Sequence, residues 1–234
     1  MIIITGASDN HYASLVKFIY SFIQHNYTNN TLIVYDLGIE EEKWEKFKLK
    51  CKSVPTISFR KFEYDRYPSW YDIKINAGEY AWKPAIIYNT FIQNPGQKLL
   101  WMDSGNLIQD NLAELDQFLE SNGVYSALSS GTISRWTHKK TIDYLKCSWD
   151  DELMRNAACI GFDTKNPLAE KLLVDYYECC KTKDCISPKG SNRDNHRQDQ
   201  SVFSILFYKH LREKHIMFCN HFLGYSIHND VDLR

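Results

Sequence analysis

Leu99 to Met102 is an unbroken apolar run that stops on a carboxylate, Asp103. A run of this kind reads as a strand buried on both faces, which is what a mostly parallel α/β sheet requires. In such sheets ligands collect in the crevice outside the carboxyl ends of the strands. Ser104, Gly105 and Asn106 follow as a turn, and then an amphipathic run carries Leu107, Ile108, Leu112, Leu115, Phe118 and Leu119. Asp103 therefore has two readings. It caps the turn into the next helix, as Asp often does, or it touches a metal or substrate at the strand mouth.

The rest of the chain alternates in the way that this strand demands. Ile2 to Thr5 reads as a strand that breaks at Gly6-Ala7-Ser8-Asp9-Asn10, and the helical spacing of Leu15, Val16, Phe18, Ile19, Phe22 and Ile23 follows. Thr31 to Tyr35 is a second strand, Glu40 to Lys50 a charged helix, and Thr56 to Phe62 a third strand after Pro55. Glu63 to Asn76 is irregular, and Glu79 to Gln93 reads as a helix with Trp82, Ile86, Ile87 and Phe91 inward. The second half is less regular: strands at Val124 to Leu128 and Ala157 to Phe162, a short helical run at Thr141 to Leu145, and helices at Leu168 to Cys180 and Gln198 to Leu211. Pro167 suits the first position of its helix. Between those two helices, Lys181 to Arg197 reads as a polar loop, either plain surface or a lid over a site. Alternating strands and helices predict an α/β fold, a central mostly parallel sheet with right-handed crossovers. A chain of 234 residues with no long linker is expected to be one domain.

Composition excludes some classes of function. The net charge of -1 supplies no field for nucleic acid, so no nucleic-acid partner is expected. No apolar run approaches the ~18 residues of a membrane span. The start MIIITGAS lacks the basic residues of a signal peptide. The seven Cys form no CxxC pair, which argues against a zinc ribbon, and free thiols in a reducing, cytoplasmic setting are the simplest expectation. A bridge among Cys179, Cys180 and Cys185 stays open. Asn26 and Asn29 head glycosylation acceptor triplets, relevant only in a secretory lumen.

The turn TGAS after the first strand suggests a nucleotide site. The second and third glycines of a dinucleotide fingerprint are missing, and no P-loop motif occurs. Tyr177 and Lys181 have the YxxxK spacing of some dehydrogenases, so an NAD(P)-dependent oxidoreductase is a rival reading. The remaining reading is a nucleotide-sugar site in which the first strand ends under a base and the Asp103 strand carries a metal.

WMDSGNLIQDNLAEL resembles the strand, DxD turn and following segment of GT-A glycosyltransferases, above all the glycogenin-like ones. Other stretches fall in the family's order: ITGASDNHYASLVKFIYSF like the first strand and nucleotide loop, AWKPAIIYNTF like the helix before the DxD strand, MRNAACIGFD like the acceptor-side strand, HRQDQSVFSILF like the Asp-Gln helix start, and NHFLG like the late His-x-x-Gly element. The resemblance implies a Rossmann-like GT-A fold. Residues from about 1 to 115 would form the nucleotide-sugar half, and those from about 116 to 234 the acceptor half. It implies hexosyl or pentosyl transfer from a nucleoside-diphosphate sugar, with UDP favoured, to an unidentified glycan, protein or small-molecule acceptor.

By the same resemblance, Thr5, Gly6, Ala7 and Tyr12 would line the base. Asp103 and His221 would hold Mn²⁺ or Mg²⁺, while Ser104 and Asn156 would lie near the sugars, and Asp199 and Gln200 would face donor sugar and acceptor. Lys83, a cation beside Trp82 and Pro84 in an apolar helix start, is a candidate for the diphosphate on its own residue context. Hard divalent cations prefer carboxylate and phosphate oxygens and stabilise the leaving diphosphate. The resemblance favours retention; with inversion, Asp199 would be the general base. Each residue also has a structural reading: His221 as a hydrogen-bonded structural His, Lys83 as a solvated helix residue, Asp199 as a helix cap, and Trp101 and Trp136 as core. One departure stands out, because the second motif carboxylate falls on Gly105 and the late Lys on Ile227, with His228 next. The metal shell is then thinner and completed by water or His221, or no metal is needed, or the protein is an inactive nucleotide-sugar binder.

Overall fold

The computed structural model describes residues 1–25, 30–214 and 217–232, so the acceptor positions Asn26 and Asn29 lie outside the described residues. In chain order the elements are β1 (Ile2–Ala7), α1 (Tyr12–His25), β2 (Thr31–Asp36), α2 (Glu41–Cys51), β3 (Ile57–Lys61), α3 (Trp82–Gln93) and β4 (Lys98–Met102). They continue with β5 (Leu107–Ile108), α4 (Ala113–Asn122), β6 (Val124–Tyr125), β7 (Leu128–Thr132), α5 (Ile133–Trp136), α6 (Lys139–Tyr144) and β8 (Leu153–Arg155). The last are β9 (Cys159–Asp163), α7 (Pro167–Cys180), α8 (Lys183–Ile186), α9 (Gln198–Leu211) and β10 (Tyr225–Ser226).

The main sheet has the order β3-β2-β1-β4-β9-β6. The first four strands run parallel, and β9 is antiparallel to both β4 and β6. The sheet is therefore mostly parallel, as the alternation predicted, and a second-half strand completes it beside β4. Successive side chains of β4 point to opposite faces. Leu99 and Trp101 join one core with α3, α7 and α9, while Leu100 and Met102 join the other with α1, α2 and α4. This two-sided burial explains why the stretch carries no polar alternation.

Local differences from the sequence reading have identifiable causes. The run after Asn106 is not one helix. Leu107 and Ile108 pair with the tail strand β10, and α4 begins only at Ala113. In between, the Asn111 N–H bonds the Asp110 carboxylate and the Ala113 N–H bonds the Asn111 side chain. Such local side-chain bonds compete with helix. Lys181 to Arg197 contains α8 and is stapled by a disulfide between Cys179 and Cys185, whose Cα atoms lie 5.5 Å apart. Five cysteines are free thiols, not seven. No helix of the described residues is long and apolar enough to cross a membrane.

Candidate functional site

The order of the sheet reverses at β1, which is followed by β2 and β3 on one side and flanked by β4 on the other. That is the switch point where doubly wound sheets open a crevice. Gly6 and Ala7, at the end of β1, and Asp103 and Ser104, just past β4, line a cavity of about 930 Å³ there. Its volume lies in the range of small-molecule and cofactor sites.

Beneath the cavity floor sits a buried cation. Lys83, 4% exposed, enters from the first turn of α3, where Pro84 is tolerated because the N–H it lacks has no helical partner. Its ammonium is 3.1 Å from Asp103 Oδ1 and 2.9 Å from Asp199 Oδ2, and it donates to the Ala157 carbonyl at 3.2 Å. The Trp101 indole N–H donates to the same Asp103 Oδ1 at 2.6 Å. Tyr176 Oη donates to Asp199 Oδ2 at 3.4 Å. Burial alone would push the Lys83 ammonium down; the two carboxylates outweigh it, and its affinity for the proton ends above the usual lysine value. Asp199 is held above the ordinary carboxylate range, because burial costs its charge more than the shared Lys83 returns. Two carboxylates thus divide one cation. Asp199 is enclosed, whereas the Asp103 side chain is 39% exposed, with Oδ1 occupied and Oδ2 making no hydrogen bond to the described residues.

A second wall comes from backbone that the sequence reading assigned in part to helix. Asn76, Ala77, Gly78, Glu79 and Tyr80 are all left-handed, with φ between 49° and 61°. Non-glycine residues in this region cost roughly 1–2 kcal/mol each. The turn persists because it is tied at several points. Trp82 Nε1–H bonds the Ala77 carbonyl at 3.0 Å, Gly78 N–H bonds Ile75, and the Arg193 guanidinium donates to Tyr80 Oη. Glu79 and Tyr80 line the cavity together with Arg193. Helix α3 consequently starts at Trp82, not Glu79.

The fold gathers some of the sequence-predicted residues and separates others. Gly6, Ala7, Ser104 and Asp103 lie on the cavity wall, with Lys83 and Asp199 directly behind Asp103. The other candidates are not among the lining residues. Thr5 is fully buried, its hydroxyl without a hydrogen-bond partner among the described residues, because it lies within β1 short of the rim. Tyr12 packs edge-on to Phe47 at 5.9 Å. Asn156 is buried and accepts from the Ala158 N–H at 2.7 Å. Gln200 stands one residue beyond Asp199, while Gln198, two residues before Gln200, does line the cavity. His221 is exposed and absent from the wall; its carbonyl accepts from Tyr125 Oη at 2.8 Å. His228 and Asp230, farther along the tail, occupy that wall instead. Tyr177 stacks on Tyr88 at 4.1 Å with Lys181 over its ring, and neither residue of the YxxxK pair reaches the cavity. Trp101 is core, as expected; Trp136 is half-buried, with the guanidinium groups of Arg135 and Arg197 over its ring. Among the described residues no three His, Cys, Asp or Glu side chains gather closely enough to hold a metal by themselves. The sequence reading missed Asp230, Arg193 and the left-handed turn. Only the tail's acidic residues hinted at the first, and nothing in local spacing marks the others.

A family model described as a protein of unknown function, DUF1647, matches residues 1–88. No match was found among curated proteins. Several solved structures are similar over most of the chain. The bifunctional glycosyltransferase WbbM in its apo form is 17% identical with a TM-score of 0.59, covering 90% of this chain and 38% of its own. The galactosyltransferase LgtC, in complex with donor and acceptor sugar analogs, is 19% identical at a TM-score of 0.57, covering 94% and 72%. Mouse xyloside xylosyltransferase 1, apo form, is 12% identical at 0.52, covering 92% and 84%. The chain thus spans well under half of WbbM and most of the other two. It has a GT-A glycosyltransferase fold, distantly related in sequence.

Proposed function

We propose that the protein transfers a sugar from a nucleoside-diphosphate donor, a UDP-sugar by preference, to a hydroxyl acceptor. The observation that carries this reading is the Asp103 carboxylate. It sits at the carboxyl end of a central strand, opens onto a cavity at the switch point, and is pinned from behind by Lys83. Gly6 and Ala7, with no bulk to intrude, leave room for a nucleoside at the end of β1.

The residues fit a divalent metal, Mn²⁺ or Mg²⁺. Asp103 Oδ2 is a hard oxygen with no competing partner among the described residues, and Mg²⁺ is commonly held by one or two carboxylates plus substrate phosphates. Such an ion, when bound, stabilises the charge that grows on the departing diphosphate. The chain's own groups do the rest. Trp101 and Lys83 fix the carboxylate's rotamer by engaging one oxygen, so Lys83 acts as a positioning residue and not as a direct diphosphate contact. Asp199, buried behind Lys83, sets the charge balance. It is not placed to reach an acceptor proton, and this supports retention over inversion with Asp199 as base. The left-handed turn at Asn76–Tyr80 and the Arg193 side chain form the wall against which the donor sugar packs and from which water is displaced.

A panel of nucleotide sugars tests the reading. A matching donor raises the melting temperature, since a ligand that binds only the folded state stabilises it. Release of nucleoside diphosphate should be stimulated by Mn²⁺ and fall on the order of 100-fold or more in Asp103→Ala. A second reading, an inactive nucleotide-sugar binder, draws on Gly105. It predicts the same thermal shift with no metal-stimulated release.

A further inference from the structure

The second carboxylate of the metal-binding turn is missing from position 105, yet the space it would occupy is not empty. A Cβ built on Gly105 would lie 2.5 Å from both carboxylate oxygens of Asp230 and 2.6 Å from its Cγ. Gly105 has no left-handed φ that would demand glycine. What stands in the way of a side chain there is another acid, delivered from the far end of the sequence. We propose that Asp230 takes over the role of the lost motif carboxylate and, with Asp103, holds the divalent cation. This rests on the metal-assisted reading above.

Three observations support the assignment. First, Asp230 and Asp103 line the same cavity. Second, the tail is fastened on both sides of Asp230. The Asn229 N–H donates to the Gly105 carbonyl at 2.8 Å, and the Val231 N–H donates to Ser14 Oγ at 3.0 Å. Asp232 then accepts from the Ala13 and Ser14 N–H groups at 2.9 and 2.8 Å, which anchors the strap to the start of α1. Third, the Asp230 carboxylate has no hydrogen-bond or ion-pair partner among the described residues, although its neighbours on either side are tied down. A carboxylate presented this way is spent on something other than holding the fold. The substitution of Gly at 105 and the acid at 230 are then one change: removing the side chain from the turn makes room for the strap's oxygens. The donor set becomes two carboxylates, one from the middle of the chain and one from its tail, and diphosphate and water supply the remaining ligands.

The test is binding, read apart from turnover. Free Mn²⁺ is followed by electron paramagnetic resonance while it is titrated into wild type, Asp230→Asn and the exchange variant Gly105→Asp/Asp230→Gly, each with and without UDP. The expected result is a loss of Mn²⁺ affinity of roughly tenfold or more in Asp230→Asn, with recovery to near wild type in the exchange variant. Circular dichroism checks folding. Should Asp230→Asn fail to fold, the exchange variant decides alone: retained affinity supports the proposal, lost affinity overturns it. Wild-type binding that Asp230→Asn leaves unchanged overturns the role of Asp230 while the metal reading survives. Absence of Mn²⁺ binding by wild type, with or without UDP, overturns both.

Discussion

Replacing Lys83 by Met keeps the length and packing of the side chain and removes its charge. At 2.9 Å from Asp199, an ion pair in a medium of effective dielectric near 20 is worth about 6 kcal/mol of attraction. The desolvation of each buried ion offsets several kcal/mol of that. What remains is the penalty of leaving Asp199 buried without its cation, about 3–5 kcal/mol. Asp103 adds little to this figure, since its side chain is 39% exposed and solvent screens it. For a domain of this length the loss corresponds to a fall in melting temperature of roughly 6–20 °C. The sign of the pH dependence follows from Asp199. Its carboxyl is already raised by burial, and without Lys83 it rises further, so the folded variant holds a proton that the unfolded chain releases. The variant's deficit therefore grows as pH rises above the ordinary carboxylate range and shrinks as pH falls toward it. Urea unfolding of both proteins at several pH values from 5 to 8 measures this. Lys83→Met/Asp199→Leu, which removes both buried charges, should recover most of the loss. A deficit under about 1 kcal/mol at pH 8, or one that does not change with pH, would refute the charge-sharing argument.

Two further predictions concern buried positions in the segments that supply the cavity's walls. Burial pushes His196 down to about 4 from its ordinary 6.5, and its neutral ring is fixed by Nε2–H donating to the Ile186 carbonyl and Nδ1 accepting from the His138 N–H. The unfolded chain binds that proton first, so stability is full above about 6.5 and falls by up to ~3 kcal/mol as pH drops to about 4. His196→Gln should flatten the slope in urea titrations, and an equal slope in both proteins would count against it. Gly78→Ala places a Cβ 2.2 Å from the Tyr71 carbonyl oxygen at a φ of +61°. The expected cost is roughly 3 kcal/mol in urea unfolding, and a loss under about 1 kcal/mol would show that the left-handed turn relaxes freely.

The sequence by itself determined the alternation of elements and the strand that ends on Asp103. Both depend on short-range physics: an apolar run with no polar face has to be buried on both sides, and helical spacing marks which residues face it. It also brought Lys83 to notice, through a cation in an apolar helix start, and Asp199 through the resemblance of its stretch to an Asp-Gln helix start. Only the tertiary structure decided that these two share one buried charge with Asp103, that the residues from 76 to 80 wind left-handed, and that Asp230 fills the gap at Gly105. Each is a pairing across long sequence separation or a conformation imposed by packing. Residue spacing carries no record of either, because the partners meet only once the sheet has closed and the tail has been strapped across its mouth.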